Sequence, residues 1–398
     1  MNPVLTTLAV SNYRSLRDLV LPLSGLDVVT GANGTGKSSL YRALRLLADA
    51  GQGRVVASLA GEGGLASTLW AGPEVTSEAM RRGEVPIQGT VRTTEVNLRL
   101  GFAGDDLGYQ LDLGHPAPAE LPPIFALDPM IKSEASFAGP LARPAAQLVV
   151  RRGPAVTVRD GDGSWRTAAG TLMPTDSMLT QLAEPEQAPE VLTVRERLRS
   201  WRFYDSVRTD RDAPARSTRL GTFTPVLAGD GADLASALAT IEEVGDGTGL
   251  AAAIDAAFPG SELQIRSDRG RFTVGLRQRG LLRPLEAAEL SDGTLRYLLW
   301  VAALMTPRPP ELMVLNEPEA SQHHDLLPPL AELVRRAATR CQVIVVSHPD
   351  PLVAELTRTG TGDRPAAALV ELIKDTGVTG VAGRAGLLDQ PRWTWLTR

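Results

Sequence analysis

The sequence has little cysteine and no long hydrophobic run. Its 398 residues contain one cysteine, Cys341, which precedes the apolar run QVIVV and is typical of a small core residue. A single cysteine excludes a disulfide framework and fits a reducing compartment. No apolar run approaches the roughly 20 residues that cross a bilayer, and residues 1–20 hold no apolar stretch of signal-peptide length. We therefore expect a cytoplasmic protein with no membrane partner.

Lysine and strong positive charge are also scarce. The net charge is −5, whereas proteins that coat nucleic acid nonspecifically are usually basic, so any such contact must come from a local patch. The three lysines, at positions 37, 132 and 374, face a large excess of arginine. A lysine inside a glycine-rich loop is therefore conspicuous.

A glycine-rich loop follows the second of two N-terminal segments, residues 4–10 and 25–30, that are predicted to be strands. Gly31, Gly36, Lys37 and Ser38 match the phosphate-loop pattern G-x-x-x-x-G-K-[ST], and the next residues have helical spacing. Backbone N–H groups of such a loop converge on phosphate oxygens at the helix N-terminus. Lys37 is expected to reach the β- and γ-phosphates of ATP, and the Ser38 hydroxyl to bind Mg²⁺. The alternative is an ordinary glycine-rich turn between strand and helix.

The predicted contacts to ATP extend through this loop and one arginine before it. They are Asn33, Gly34, Thr35, Gly36, Lys37, Ser38 and Ser39 in the loop, together with Arg14 in the segment NYRSLRD.

A carboxylate follows the apolar strand LMVL, at the strand edge where open α/β sheets bind ligands. Glu317 can orient and deprotonate a water for attack on the γ-phosphate, so we assign it as the general base. The preceding residue, Asn316, stands where an aspartate usually holds Mg²⁺. Its amide can accept from a metal-bound water, but it lacks the charge, which predicts slow hydrolysis. The alternative is an acidic cluster that starts a helix.

Two further motifs complete the pattern. Ser291, Asp292 and Gly293 lie in LSDGT before an apolar helix, where Ser291 can be a simple N-cap. The segment also resembles the signature motif of ABC ATPases, which implies that Ser291 meets the γ-phosphate bound to a second subunit. His348 ends the strand QVIVV and either senses the γ-phosphate or belongs to a polar pair at the strand end.

Two histidines, His323 and His324, follow the carboxylate segment. No cysteine or further histidine lies at ligand spacing, which argues against a metal site and favours a contact of His323 across a dimer.

An arginine-rich stretch lies between positions 195 and 219. It contains eight arginines, four acids and three interspersed aromatic residues. Arg199, Arg202 and Arg208 are candidates for contacts to DNA phosphates, although the stretch is equally consistent with a solvated face carrying its own ion pairs, or with arginines that reach the nucleotide across a dimer.

These motifs together resemble the predicted ATPases related to RecF, in the SMC and RecF branch of ABC-type ATPases. The resemblance is carried by GANGTGKSS, ELSDGTLRYLLWVAAL, LMVLNEPEASQHHDLLPPL and VVSHPDPLV and spans nearly the whole chain. It implies an α/β fold, an ABC-type ATPase head with a mixed sheet flanked by helices and a RecF-like second lobe. It also implies ATP-dependent dimerisation and roles around DNA repair or genome defence.

The segmentation of the chain predicts a split head. Residues 1–60 and 285–398 are expected to form the head, and residues 61–284 an α+β insertion with an antiparallel β segment at about 86–113 and a mixed α/β lobe at about 120–284. No heptad pattern is sustained, so we expect no long coiled coil.

Two functions follow from this sequence. The first is an ATPase that dimerises on Mg-ATP and acts in genome maintenance or defence, with a nuclease or repair protein as a candidate partner. The second is a nucleotide-sensing module that hydrolyses almost nothing and regulates such a partner. A transporter subunit is disfavoured by LSDGT and by the long insertion.

Overall fold

The computed structural model describes residues 5–74, 77–82, 84–86, 96–117, 122–182, 185–205, 207–348, 351–358, 366–384 and 391–396. The chain divides into two compact units. We call residues 25–30 and 202–369 the parallel-sheet unit, and residues 3–24, 31–201 and 370–398 the antiparallel-sheet unit.

The strands and helices follow in chain order. The strands are β1 (Thr7–Tyr13), β2 (Leu16–Pro22), β3 (Leu26–Thr30), β4 (Leu98–Ala103), β5 (Leu107–Gly114), β6 (Met130–Ala138), β7 (Gln147–Arg152), β8 (Ala155–Arg159), β9 (Trp165–Ala169), β10 (Arg202–Tyr204), β11 (Arg219–Leu220), β12 (Glu262–Asp268), β13 (Arg271–Arg277), β14 (Leu285–Glu286), β15 (Leu312–Asn316), β16 (Gln342–Val346), β17 (Ala368–Asp375) and β18 (Val378–Val381). The helices are α1 (Lys37–Gly51), α2 (Val55–Gly61), α3 (Leu65–Thr68), α4 (Glu78–Arg81), α5 (Met178–Gln181), α6 (Pro189–Ser200), α7 (Leu234–Val244), α8 (Gly247–Ala257), α9 (Asp292–Leu304), α10 (Leu327–Ala338) and α11 (Pro351–Thr357).

The parallel-sheet unit is built on adjacent parallel strands in the order β10-β15-β16-β3. Strands β3 and β16 are buried at every residue, as expected for parallel strands covered on both faces. Helix α10 presents apolar residues at i, i+3, i+4 and i+7 spacing to this core, among them Leu330, Leu333 and Val334. A smaller antiparallel sheet, β11-β13-β12 with β14, belongs to the same unit.

The antiparallel-sheet unit contains a sheet in the order β2-β1-β4-β5-β6-β7-β8-β9, in which all neighbours are antiparallel. Glu134 in β6 and Arg151 in β7 are opposite each other and form an ion pair of 3.1 Å, in which both side chains are fully buried. The Tyr109 hydroxyl also donates to Glu134. Burial and the neighbouring Glu134 carboxylate raise the pKa of Tyr109 well above its ordinary value.

The mixed α/β fold predicted from the sequence is confirmed, as is the helix expected after LSDGT, which forms α9. The first strand runs from Thr7 to Tyr13 rather than over 4–10, because Tyr13 pairs with Leu16 and extends the hairpin ladder. Residues 87–95 of the predicted antiparallel segment lie outside the described residues. The proposed head and insertion boundaries, near residues 60 and 285, stay a prediction.

No long coiled coil is found in the described part of the chain, where α1, with 15 residues, is the longest helix. Within the same ranges, none of the helices has the length and apolar character that spanning a membrane requires.

Candidate functional site

The phosphate loop has a backbone that requires glycine. Gly31, Gly34 and Gly36 have φ angles of 146°, 80° and 109°, a region that L-residues with a Cβ rarely adopt. A Cβ on Gly36 would also lie 2.5 Å from the Thr379 hydroxyl, and a Cβ on Gly31 would collide with the carbonyl of Leu372. The glycines therefore serve both the curl of the loop and its close contact with the β17–β18 hairpin.

Helix α1 begins at Lys37 directly after this curl, with Gly36 as its N-cap. The Lys37 ammonium donates to the carbonyls of Gly31 and Ala32, at 2.6 and 3.2 Å, and its residue is 6% exposed. Asn33, Gly34 and Ser38 are exposed and Ser39 is half-buried. A helix N-terminus that follows such a loop and carries a lysine is suited to bind phosphate.

The loop is supported by residues that are far away in sequence. The Thr379 hydroxyl, in β18, lies 2.7 Å from the Thr35 carbonyl oxygen and 2.8 Å from Ser15 Oγ. The Thr35 hydroxyl donates to the carbonyl of Ala32 at 2.9 Å. Our sequence reasoning missed Thr379, because nothing in its own segment indicates contact with a loop more than 300 positions earlier.

Arg14, predicted to contact ATP, makes an ion pair with Glu62 in this structure. The distance from Arg14 Nη2 to Glu62 Oε2 is 2.7 Å, and Tyr13 donates to the same carboxylate oxygen. Burial raises the pKa of Tyr13, with Glu62 adding to the effect. Ser15, the next residue, contacts the loop support at Thr379. The role of Arg14 in ATP binding remains a prediction.

In the parallel-sheet unit, the predicted base and switch residue meet at the carboxyl ends of β15 and β16. Glu317 Oε1 lies 3.2 Å from His348 Nε2, and both side chains are about two-fifths exposed. Glu317 has a φ of 49° and donates its backbone N–H to the carbonyl of Val346. A non-glycine residue in this region is strained, and such strain is typical of functional sites.

Glu319 fixes the residue that precedes the histidine. Ser347 donates its hydroxyl to Glu319 Oε1 at 2.8 Å, and the backbone N–H of His348 donates to the same oxygen at 3.2 Å. Ser347 also donates its backbone N–H to Val29 in β3, the strand that ends at the residue before the phosphate loop. At the carboxyl ends of β15 and β16, Glu317 therefore contacts His348, and Glu319 contacts both Ser347 and the backbone of His348.

Asn316 is hydrogen-bonded to a carboxylate that sequence reasoning missed. Its Nδ2 donates to Asp205 Oδ1 at 2.9 Å. Asp205 directly follows β10, whose Tyr204 pairs with Leu315. The available signal was a carboxylate after the short segment RFY, but only the pairing of the strands shows which residue it faces.

The LSDGT segment, Leu290 to Thr294, lies at the start of α9, and we call it the signature turn. The Ser291 hydroxyl accepts from the backbone N–H of Thr294 at 3.2 Å, as an N-cap does, and Ser291 and Asp292 are exposed while Gly293 is half-exposed. The capping interpretation is therefore correct, and the exposure leaves the trans contact open as a prediction.

The side chain of Arg216 stabilises this turn through several hydrogen bonds. Its guanidinium donates to Asp292 at 2.7 Å and to the backbone carbonyls of Leu290 and Ala287 at 2.7 and 2.8 Å. A further bond goes to the carbonyl of Thr209. Sequence reasoning counted Arg216 among charges that could face nucleic acid, but its side chain is only 8% exposed.

Other arginines of the same stretch are also paired. Arg208 is 2.7 Å from Asp210, Arg199 is 3.3 Å from Glu196, and Arg197 is 2.7 Å from Asp106. Arg202 is half-buried in β10. These pairs favour the structural alternative for part of the stretch, while DNA contact by Arg199, Arg202 and Arg208 stays a prediction.

His323 and His324 are exposed at the start of a 3-10 turn. Asp325, which the sequence reasoning overlooked, lies 3.2 Å from His323 and 3.1 Å from His324. Ligand atoms of the three residues lie within 4.8 Å of one another. The exposure of His323 is compatible with the predicted dimer contact.

The fold and the phosphate loop define a P-loop ATPase of the ABC and SMC-head kind. Residues 28–354 match the family described as "AAA domain, putative AbiEii toxin, Type IV TA system". The chain belongs to this family. The comparison with curated proteins found no match.

Solved structures of SMC heads are similar in fold. An SmcHead bound to the C-winged helix domain of ScpA has a TM-score of 0.50 at 11% identity, with 96% of this chain and 97% of that chain covered. A Pyrococcus furiosus Smc head with an extended coiled coil, bound to the C-terminal domain of ScpA, has a TM-score of 0.49 at 11% identity over 96% of each chain. The SMC head domain from Thermotoga maritima has a TM-score of 0.42 at 13% identity, with 95% and 98% covered. At 11% identity, the likeness to the SmcHead with a TM-score of 0.50 concerns the fold alone.

Proposed function

We propose that this chain binds Mg-ATP at the phosphate loop, hydrolyses it slowly and dimerises through the bound nucleotide. The observation that carries the proposal is the loop itself, with glycines at positive φ and a buried Lys37 at the start of α1. Lys37 now donates to carbonyls of its own loop. Phosphate oxygens offer the ammonium charged acceptors, which form stronger hydrogen bonds than neutral carbonyls do.

The residues present suit a magnesium ion. Ser38 offers a hydroxyl oxygen and Asn316 an amide oxygen through water, and Mg²⁺ prefers oxygen ligands and retains several waters. When bound, the ion neutralises charge that develops on the phosphates. The single cysteine of the sequence, Cys341, is buried in the core, so we expect oxygen ligands and no thiolate at the magnesium ion.

Glu317 is proposed as the general base. Its contact with His348 at 3.2 Å and its left-handed backbone fix the carboxylate at the strand edge. A carboxylate held there can accept a proton from an attacking water, and His348 can report the γ-phosphate through a hydrogen bond. Both proposed roles are supported by position in the fold, since α/β sheets bind ligands at the carboxyl ends of their strands.

Dimerisation is proposed through the signature turn. Ser291, Asp292 and Gly293 lie at an accessible N-terminus of α9, where the helix dipole favours an anion. A γ-phosphate held by a second copy would supply that anion, and His323 would contribute from its exposed turn. ATP can then join two subunits that ADP cannot, which is a difference in affinity between two states.

The cellular role is proposed to be DNA repair, genome maintenance or genome defence, with DNA, a nuclease or a repair protein as partner. The RecF-like motifs support this proposal. A second candidate function, a sensor that regulates a partner with little hydrolysis, is favoured by one observation, the amide of Asn316 where a carboxylate is usual.

The test is the size of the Glu317→Gln variant with and without Mg-ATP, combined with calorimetry of ATP binding to the wild type. We expect magnesium-dependent binding and an ATP-dependent dimer, and a DNA duplex added to the dimer tests the genome role. A wild-type protein that is folded but has no affinity for Mg-ATP would disprove the proposal. Measurable turnover in the wild type separates the ATPase from the sensor.

A further inference from the structure

Three potential metal ligands follow one another at the start of the 3-10 turn that precedes α10. They are the exposed side chains of His323, His324 and Asp325. The distance from His323 Nδ1 to Asp325 Oδ2 is 3.2 Å, and the distance from His324 Nε2 to Asp325 Oδ1 is 3.1 Å. Ligand atoms of the three residues lie within 4.8 Å of one another. The structure therefore adds a carboxylate to the two histidines that their spacing alone revealed.

These separations are close to those of atoms that share a metal ion. Tetrahedral zinc, with bonds of about 2.0–2.2 Å to nitrogen and oxygen, separates neighbouring ligand atoms by about 3.3–3.6 Å. The two contacts of Asp325, at 3.1 and 3.2 Å, lie near this range. The third separation, between the imidazoles, is at most 4.8 Å. Exposed side chains change rotamer readily, so a small rotation of one imidazole is sufficient to complete the site.

The backbone of the turn holds the three ligands on one short segment. The backbone N–H of Leu326 donates to the carbonyl of His323 at 2.9 Å, and Leu326 is buried in the core of the parallel-sheet unit. The ring centroids of His323 and His324 are 4.1 Å apart. His323 Nδ1 accepts from the backbone N–H of Asp325 at 3.4 Å, a long hydrogen bond that a metal ion can replace.

We propose that His323, His324 and Asp325 bind a borderline divalent cation, with Zn²⁺ as the expected ion and water at the remaining position. Two imidazole nitrogens and a carboxylate oxygen are ligands that Zn²⁺ takes in proteins, whereas Mg²⁺ prefers oxygen ligands alone. The site is therefore different in chemistry from the magnesium site proposed for ATP. This inference goes beyond the proposed function and does not depend on nucleotide binding.

The alternative is a solvated ion pair, in which Asp325 compensates positive charge on the imidazoles. Exposed ion pairs of this kind are common and contribute little to stability. The two interpretations differ in what zinc requires. The ion pair predicts no zinc affinity, and two histidines alone would bind zinc without the carboxylate. A site of three ligands requires each of them, so removal of Asp325 alone is the decisive substitution.

The experiment measures zinc binding to the full-length protein without nucleotide. Calorimetry gives the affinity and stoichiometry, and the absorption spectrum of Co²⁺ in place of zinc reports the arrangement of the ligands. We expect one zinc site per chain in this turn, and His323→Ala, His324→Ala and Asp325→Asn each to weaken the affinity at least about tenfold. An excess of Mg²⁺ should not displace the zinc. The matched control is His115→Ala, which removes a half-buried imidazole outside the turn and should bind zinc like the wild type.

Several results would overturn the inference. One is a folded wild type without measurable zinc affinity. Another is an Asp325→Asn variant that binds like the wild type, because a pair of histidines would then explain the binding. An equal loss in His115→Ala would show that the effect does not arise from the turn. Circular dichroism verifies that each variant is folded.

The zinc measurements are separable from the test of the proposed function. His323 is also the proposed dimer contact, so ATP is left out of every zinc titration. A failure to bind zinc leaves the proposed binding of Mg-ATP standing. A wild type that binds zinc at this turn but has no affinity for Mg-ATP would disprove the proposed function alone.

Discussion

Glu317 Oε1 and His348 Nε2 lie 3.2 Å apart at the ends of two adjacent parallel strands. The backbone of each residue is also held by a hydrogen bond. The backbone N–H of Glu317 binds the carbonyl of Val346, and the backbone N–H of His348 binds the carboxylate of Glu319. The distance between base and histidine is therefore set by the pairing of the strands, and a substitution of either side chain should leave this edge folded.

Glu317→Gln should lower ATP turnover about 100- to 10,000-fold, because the amide cannot accept the proton of the attacking water. Phosphate release by the purified protein measures the effect. Glu243→Gln, an exposed substitution in α7, should turn over like the wild type. If the Glu317→Gln variant retained nearly the turnover of the wild type, Glu317 would be excluded as the base.

Lys37→Ala should weaken ATP binding at least tenfold, since charge-assisted hydrogen bonds contribute about 1.5–3 kcal/mol. Calorimetry or fluorescence titration with Mg-ATP gives the dissociation constant. The control is Lys374→Ala, because Lys374 is exposed in β17 and shares the charge but not the loop. Equal losses in both variants would indicate a general charge effect instead of a contact at the phosphate loop.

Thr379→Val should destabilise the phosphate loop while keeping its shape nearly unchanged. The substitution leaves the carbonyl of Thr35 without its donor at 2.7 Å, and Thr379 is 2% exposed, so water does not readily replace it. An unsatisfied buried acceptor costs about 1–3 kcal/mol.

Urea denaturation measures this cost, and titration shows the accompanying loss of ATP affinity. Thr193→Val, at an exposed position of α6, is the comparison and should change neither quantity. An unchanged denaturation midpoint for Thr379→Val would contradict the prediction.

Arg216→Ala should destabilise the chain by about 2–4 kcal/mol, because it leaves several partly buried carbonyls and the exposed Asp292 without their donor. It should also weaken ATP-dependent dimerisation, since the signature turn loses its support. Denaturation and sizing measure the two effects separately. Arg219→Ala, at an exposed position three residues later, should be neutral in both.

Cys341 should react slowly with thiol reagents in the folded protein. Its side chain is 1% exposed, and burial raises the pKa of the thiol to about 12. Labelling at pH 8 should be complete only in denaturant. Because the folded-state pKa is the higher one, the contribution of this thiol to stability is full below the unfolded-state pKa and is lost as the pH rises towards 12.

The sequence by itself determined the P-loop class, the α/β fold and the glycine-rich phosphate-loop motif. These features depend on local patterns, since the glycine spacing sets the backbone of residues 31–36 and the apolar runs set the buried strands. Because Glu317 and His348 each follow an apolar run, the sequence also showed that they lie at the ends of strands.

Only the tertiary structure decided which distant residues complete these motifs. Thr379 supports Thr35 across 344 positions, and Asp205 meets Asn316 across 111. Arg216 is one of eight arginines between positions 195 and 219, and the structure shows that it donates a hydrogen bond to Asp292 in the signature turn. The physical reason is that a sequence pattern fixes where strands and turns begin, whereas the pairing of strands fixes which side chains face each other.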